Sequence, residues 1–368
     1  MEQKMPQRLQ SLDALRGFDM LFIMGGAPFF IALATLFPCP FFDAIAGQMD
    51  HVEWNGLAHH DTIFPLFLFI AGISFPFSLA KQRLQGKTDA AIYKKIIRRG
   101  LTLVALGIIY NGFLNFDFAH QRYASVLGRI GLAWMFAALI FVNTKAITRA
   151  WITAAILIGY YLLVAFVPAP DGNGAGVFTM QGSIVGYIDR MFLPGRLHLT
   201  IHDPEGILST VPAIATALLG MFTGELVKFD KITGMKKVLY MVIGGVALLV
   251  IGLLWNLVFP INKNLWTSSF VCVVGAYSVL MFALFYYLID VKNWRSWILF
   301  FVVIGMNSIT IYLAQQFINF PGIAVSVFGG FANACGETLK PLIGSLAYIG
   351  VCWGFLYFLY RQRIFLKV

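Results

Sequence analysis

Ten runs of 18 to 26 mainly apolar residues divide the chain, at 12–37, 61–80, 96–113, 124–143, 150–167, 207–227, 238–259, 269–289, 297–317 and 341–360. A helix needs ~20 such residues to cross the hydrocarbon of a bilayer, whereas a membrane β-barrel would show alternating segments of ~10. The pattern therefore predicts an all-α, polytopic transmembrane bundle of about ten helices. No linker, low-complexity tract or internal repeat interrupts it, so residues 1–368 read as one domain.

Composition agrees, with 59% hydrophobic and 12% charged residues and a mean hydropathy of +0.78. The first run carries Asp13, Arg16 and Asp19 and is too long for a cleaved signal peptide. Of the 27 Lys and Arg residues, 21 fall on the side that holds the N-terminus, which predicts that both termini are cytoplasmic. Topology thus accounts for most of the net charge of +10, and nucleic-acid binding is excluded as a function class. All six histidines fall on the opposite side, in loops or at helix ends. The four cysteines form no metal signature; Cys272 and Cys352 lie in apolar runs, and pairing of Cys39 with Cys335 is left open.

Polar residues are scarce in such a chain, so clusters of them at a helix mouth mark candidate chemistry. The richest cluster includes His51, Glu53, Trp54 and Asn55, just ahead of the second run. Asp61 opens that run, where it serves either as a helix cap or as the carboxylate that orients His51. Asp13 and Arg16 are spaced to share a helix face, either as a charge clamp or with Arg16 gripping a cytosolic anion.

The basic stretch 81–99 reads as an amphipathic surface helix meeting lipid headgroups, or else presents Arg98 and Arg99 to a phosphate. Asn262 and Trp266 stand at an outer edge as interfacial residues or as a sugar subsite. Asn307 and Ser308 place polar groups at hydrocarbon depth, for interhelical bonding or for a cofactor. The one long outer loop, 168–206, reads as a lid or substrate platform, and its Asp203 and Glu205 could pair with an ammonium group.

Six stretches carry a resemblance in order along the chain: residues 8–17 (RLQSLDALRG), 51–57 (HVEWNGL), 61–65 (DTIFP), 203–206 (DPEG), 262–266 (NKNLW) and 305–308 (GMNS). They are similar to the heparan-alpha-glucosaminide N-acetyltransferase family and its bacterial relatives, within the transmembrane acyltransferases. The resemblance implies transfer of an acetyl group from cytosolic acetyl-CoA to the amine of a glucosamine-type sugar across the membrane, with no metal. His51 matches the family's catalytic histidine. A bacterial inner membrane is the implied location, with lipids and a second copy of the chain as candidate partners.

Val52-Glu53 replaces the Ala-Ser of the lysosomal enzyme, the stretch between Arg16 and His51 is longer, and that enzyme's large lumenal domain is not expected here. These departures concern the acceptor side. The expected donor contacts are Arg16, Arg98, Arg99, Arg129, Asn307 and Ser308. The expected acceptor contacts are Glu53, Trp54, Asn55, Asp203, Glu205, Asn262 and Trp266, with His51 and Asp61 catalytic. The competing class is a sugar or glycan transporter, with Arg16, Asp19, Arg129 and Asn307 lining its pathway.

Overall fold

The computed structural model describes residues 9–171 and 176–366; Lys4, Arg8, Lys367 and the glycine-rich turn at 172–174 lie outside the described residues. The chain begins with α1 (Gln10–Leu21), a π-helical break (Phe22–Gly26) and α2 (Ala27–Leu36), then α3 (Pro40–Gly47). Next come α4 (His59–Leu84), α5 (Asp89–Tyr110), α6 (Val126–Asn143) and α7 (Ala146–Phe166). The outer loop carries α8 (Ile184–Phe192), and α9 (Thr210–Lys228), α10 (Gly234–Trp255) and α11 (Ser268–Tyr286) follow. The chain closes with α12 (Leu299–Met306), α13 (Ser308–Phe317), α14 (Phe320–Ala334) and α15 (Lys340–Arg361). Among the described residues no strand forms, only isolated bridges pairing Arg122 with Gly195 and Pro168 with Ser183.

Eight segments are long and apolar enough to cross a membrane, and α12 with α13 adds a ninth if that pair, bent by 68°, counts as one span. This is a multi-pass membrane protein. The run at 96–113 is the difference from the ten expected: it is the apolar part of α5, whose first turns carry Lys94, Lys95, Arg98 and Arg99. The stretch 81–99 does run into the third apolar run, within α5, but it does not form one surface helix. It is split between the end of α4 and the start of α5, because Thr88 caps α5 by accepting from Ala91 N.

Helix α4 is the axis of the bundle, packed against α9, α6, α11 and α1. It meets α9 through glycines, since a Cβ on Gly72 would strike the Ala217 carbonyl and one on Gly220 the Phe69 carbonyl. Lipid tails are as apolar as leucine, so helix pairing in a membrane relies on such close backbone contact. A second seam of the same kind joins α1 to α12, where Gly17 faces the Phe301 carbonyl and Gly305 the Asp13 carbonyl. Charges collect at one end of the bundle, called here the basic end, and the histidines at the other.

Gly220→Val should push α4 and α9 apart and destabilise the protein by ~1–3 kcal/mol, the usual range for overpacking. Gly330, on α14, has open space at its Cβ position, so Gly330→Ala should leave stability unchanged or slightly raised. Thermal unfolding of both variants in detergent checks the contrast.

Candidate active site

The histidine-bearing end is built on the first turn of α4. Ala58 cannot cap the helix with its side chain, and Asp61 takes over: its Oδ2 accepts from Ala58 N at 3.1 Å and Val52 N at 3.4 Å. Its Oδ1 lies 2.7 Å from His51 Nδ1. Helix cap and imidazole holder are thus two oxygens of one carboxylate. An ionised carboxylate only accepts, so His51 carries its proton on Nδ1 and leaves the Nε2 lone pair open. The Asp61 side chain is 1% exposed and that of His51 50%, which places the reactive nitrogen at the solvent-accessible edge of a buried charge. The His60 ring packs edge-on against His51, with centroids 4.5 Å apart.

A second segment docks on this one. Gly56 N donates to the Ile261 carbonyl at 2.8 Å, Asn262 Nδ2 donates to Asn55 Oδ1 at 3.0 Å, and Asn264 Nδ2 reaches the Glu53 carbonyl at 3.5 Å. Gly56 has φ +125°, a conformation that side chains rarely adopt, so the turn between His51 and α4 depends on glycine here. The docking brings Lys263 Nζ to 3.3 Å from Asp61 Oδ1, 3.0 Å from His51 Nδ1 and 3.3 Å from His51 Nε2. Burial pulls the Lys263 pKa down, against the neighbouring carboxylate of Asp61, which raises it.

The outer loop is anchored by Arg122. Its Nε and Nη2 hold Asp203 at 2.8 and 2.6 Å, and Nη2 also binds Glu205. Asp203 further accepts from His198 N and Glu205 N, both at 3.0 Å. Burial would raise the Asp203 pKa, but the bonds from Arg122 outweigh it and hold the carboxyl below its ordinary range.

These groups form the outer lining of a cavity of about 720 Å³ that extends to the basic end. Asp61 and Ala71 both line it and lie ~15 Å apart along the axis of α4. The middle is apolar, with Ile63, Phe64, Phe67, Leu103 and Ile130. At the basic end stand Arg16, Arg99, Asn307, Ser308 and Leu366. Arg16 pairs with Asp13 at 3.5 Å and reaches Ser74 Oγ at 3.4 Å. The Arg99 guanidinium lies 4.3 Å over the Trp134 ring, and its buried Nε has no hydrogen-bond partner among the described residues. Asn307 sits at the break between α12 and α13, where its Nδ2 donates to the Ile364 carbonyl at 3.2 Å.

A catalytic-type His–Asp pair at one end of a cavity and arginines at the other suit group transfer from an anionic donor. No protein-family model matches the chain. It is 27% identical to the human heparan-alpha-glucosaminide N-acetyltransferase over 427 residues, an alignment covering 99% of this chain and 60% of the relative. It is 28% identical to the mouse protein of the same name over 325 residues, covering 72% of this chain and 49% of that one. The chain is thus similar to N-acetyltransferases of this kind along nearly its whole length. It spans 60% of the human relative and about half of the mouse one.

Nine of the residues singled out from sequence are brought to one place or its anchor: His51, Asp61, Glu53, Glu205, Arg16, Arg99, Asn307 and Ser308 line the cavity, and Asp203 secures Arg122. The others lie elsewhere. Arg98 is exposed on α5 and does not reach the cavity. Arg129 is buried, bonded to Ser209 and stacked 4.8 Å from the Trp266 ring, which makes it a core cation and not a donor contact. Trp266 is 0% exposed, packed on Phe64 and Phe270, so no face is open for a sugar ring. Asn262 and Asn55 bind each other, and Trp54 donates to the Phe178 carbonyl at 2.7 Å, so these three tie loops together.

Sequence reasoning passed over Lys263, His60, Arg122 and His198, all of which line the cavity. Lys263 and Arg122 had a signal: they are among only six cations outside the basic end. Cys39 and Cys335 are both free thiols.

Beneath the outer loop, two buried groups give a pH signature. Burial raises the Asp189 pKa to about 7, although Ile207 N donates to Oδ1 at 2.9 Å; burial lowers that of His202 to about 4. From the unfolded carboxyl value up to about pH 7, the folded state holds a proton on Asp189 that the unfolded chain has lost, so stability falls as pH rises through that window. His202 works the other way, its contribution being lost as pH falls from 6.5 toward 4. Asp189→Asn keeps the Ile207 bond and removes the first slope. The variant should gain on the wild type by up to ~4 kcal/mol as pH rises to neutrality, read from unfolding curves at stepped pH.

Proposed function

We propose that this chain is an acetyltransferase that uses acetyl-CoA from the cytoplasm and acetylates the amine of a glucosamine-type sugar on the other face of the membrane. The observation that carries the reading is the single cavity joining Arg16 and Arg99 at one end to His51 and Asp61 at the other. The excess of Lys and Arg at the first end supports a cytoplasmic position for it, and we read the bacterial inner membrane as the setting. Guanidinium groups suit phosphate and pyrophosphate, and Arg16 and Arg99 stand where the nucleotide end of the donor would enter. The apolar middle suits the uncharged arm that carries the thioester, and the acetyl carbon then arrives at His51 Nε2.

At the outer end, Glu53 places a carboxylate on the lining, which favours an arriving ammonium, whereas Glu205 is taken up by Arg122. The amine must lose a proton before it attacks. In direct transfer the nitrogen of the free amine bonds to the acetyl carbon while Nε2 takes the proton that nitrogen then sheds, and the carbon–sulfur bond breaks to release CoA as thiolate, which that proton balances. In two-step transfer, Nε2 first bonds to the acetyl carbon, CoA leaves as thiolate, and the amine then displaces the imidazole. Asp61 serves both by holding Nδ1–H and by countering the charge that develops on the ring.

His51→Ala should lower acetyl transfer to glucosamine by at least ~100-fold with acetyl-CoA affinity unchanged. Transfer within a few-fold of wild type would remove His51 from the mechanism. Arg99→Met should raise the KM for acetyl-CoA by roughly 10-fold, the cost of one charged hydrogen bond, and leave the KM for the sugar alone. Glu53→Gln should do the reverse. If the two variants exchange effects, the donor and acceptor ends are assigned the wrong way round.

A further inference from the structure

Neither route above uses Lys263, yet its ammonium lies 3.3 Å from the open nitrogen of His51. With the imidazole proton on Nδ1, shared with Asp61 at 2.7 Å, the 3.0 Å approach of Nζ to that nitrogen is not a hydrogen bond. Nζ therefore spends one hydrogen on Asp61 Oδ1 at 3.3 Å and has another near Nε2, also at 3.3 Å. Its third hydrogen is left for the cavity, which Lys263 lines beside His51 and Asn264. The side chain is 15% exposed, and its loop is held in place by the Asn55–Asn262 bond.

We infer that Lys263 is a catalytic residue of this site, its ammonium binding the acetyl oxygen as the carbonyl carbon becomes tetrahedral. The inference rests on acetyl transfer at His51. In either route a nitrogen adds to the thioester carbon next to Nε2, and the carbonyl π pair moves to oxygen, which becomes an alkoxide. When the adduct collapses, that pair returns, the carbon–sulfur bond breaks and CoA leaves as thiolate, its charge balanced by the proton the amine has lost in direct transfer or by the positive charge of the acetylated imidazole in the two-step route. Lys263 supplies a fixed positive charge at the oxygen during the interval when that oxygen is negative. Preorganised charge of this kind is usually the largest single contribution to acyl transfer, and it acts most strongly in a site shielded from water.

Two lesser roles predict different data. As a mere counter-ion of Asp61, Lys263 would matter for folding and for holding the loop. As a modulator of His51, it would only make the imidazole a weaker base, since a neighbouring cation disfavours the second proton. His51 faces Asp61, Lys263 and His60, so its titration would report that change.

The experiment compares wild type, Lys263→Met and Lys263→Arg as full chains in detergent, with acetyl-CoA as donor and glucosamine as acceptor. Turnover is followed across the neutral pH range, with acetyl-CoA affinity and unfolding temperature measured alongside. The expected result for Lys263→Met is a fall of ~100- to 1000-fold in the pH-independent plateau of kcat, with acetyl-CoA affinity within a few-fold of wild type. Lys263→Arg, which keeps the charge, should recover part of the plateau. A retained plateau with only the acidic limb displaced would overturn the inference in favour of tuning of His51. Loss of donor affinity and unfolding temperature in both variants would overturn it in favour of a structural tie. Absence of transfer by the wild type itself would instead strike at the proposed function.

Discussion

One buried carboxylate organises the outer end of this protein. Asp61 is 1% exposed at the mouth of a membrane-spanning helix, where a carboxylate left without partners would cost several kcal/mol. Its neighbours come from three stretches of chain: the amides of Val52 and Ala58, the His51 ring and the Lys263 ammonium. Satisfying that charge therefore requires the loop before α4 to curl back over the helix and the loop before α11 to reach across to it. The Asn55–Asn262 and Gly56–Ile261 bonds are the seam along which those two loops meet. Removing one partner of such a group costs ~3–5 kcal/mol, so the arrangement is specified by what it would cost to leave it incomplete.

At the other end the organising constraint is backbone geometry. Two helices break on the cavity wall: the first at Phe22–Gly26, where Gly25 takes φ +107°, and the second at Asn307 between α12 and α13. Irregular backbone at membrane depth is tolerated where it lines a cavity or is covered by protein, and both conditions hold here. The Gly17–Gly305 seam clamps α1 to α12, so Arg16 and Asn307 belong to one rigid piece. The C-terminal segment closes against it, with the Ile364 carbonyl on Asn307 and Leu366 on the cavity lining.

The all-helical bundle, the polarity of the two ends and the His51–Asp61 pair were legible in the sequence because each depends on local spacing and on depth in the membrane. What could not be read was which side chains face one another across loops. Trp266 illustrates this: beside Asn262 at a membrane edge it resembles a sugar platform, and only tertiary packing turns its ring into the core against Phe64 and Arg129. Arg98 and Arg99 are adjacent in sequence, yet a helix turn sends one outward and the other onto Trp134. Lys263 stood within a quoted motif but gained a role only when its loop docked, a contact spanning more than half the chain. The 96–113 run shows the opposite error, in which apolar residues at one end of a helix concealed the charges at its start.

The apolar middle of the cavity also bears on permeability. A passage with polar groups at both ends threatens to leak protons or ions across the bilayer that holds it. Between Arg99 and Asp61, however, the side chains of Phe64, Phe67, Leu103 and Ile130 offer a permeating ion no polar contact, and apolar constrictions in membrane pathways gate by shedding water. Small ions meet a desolvation barrier there, while an uncharged flexible arm meets a surface it wets. In the proposed reaction the same residues would accommodate the arm and insulate the membrane when it is absent.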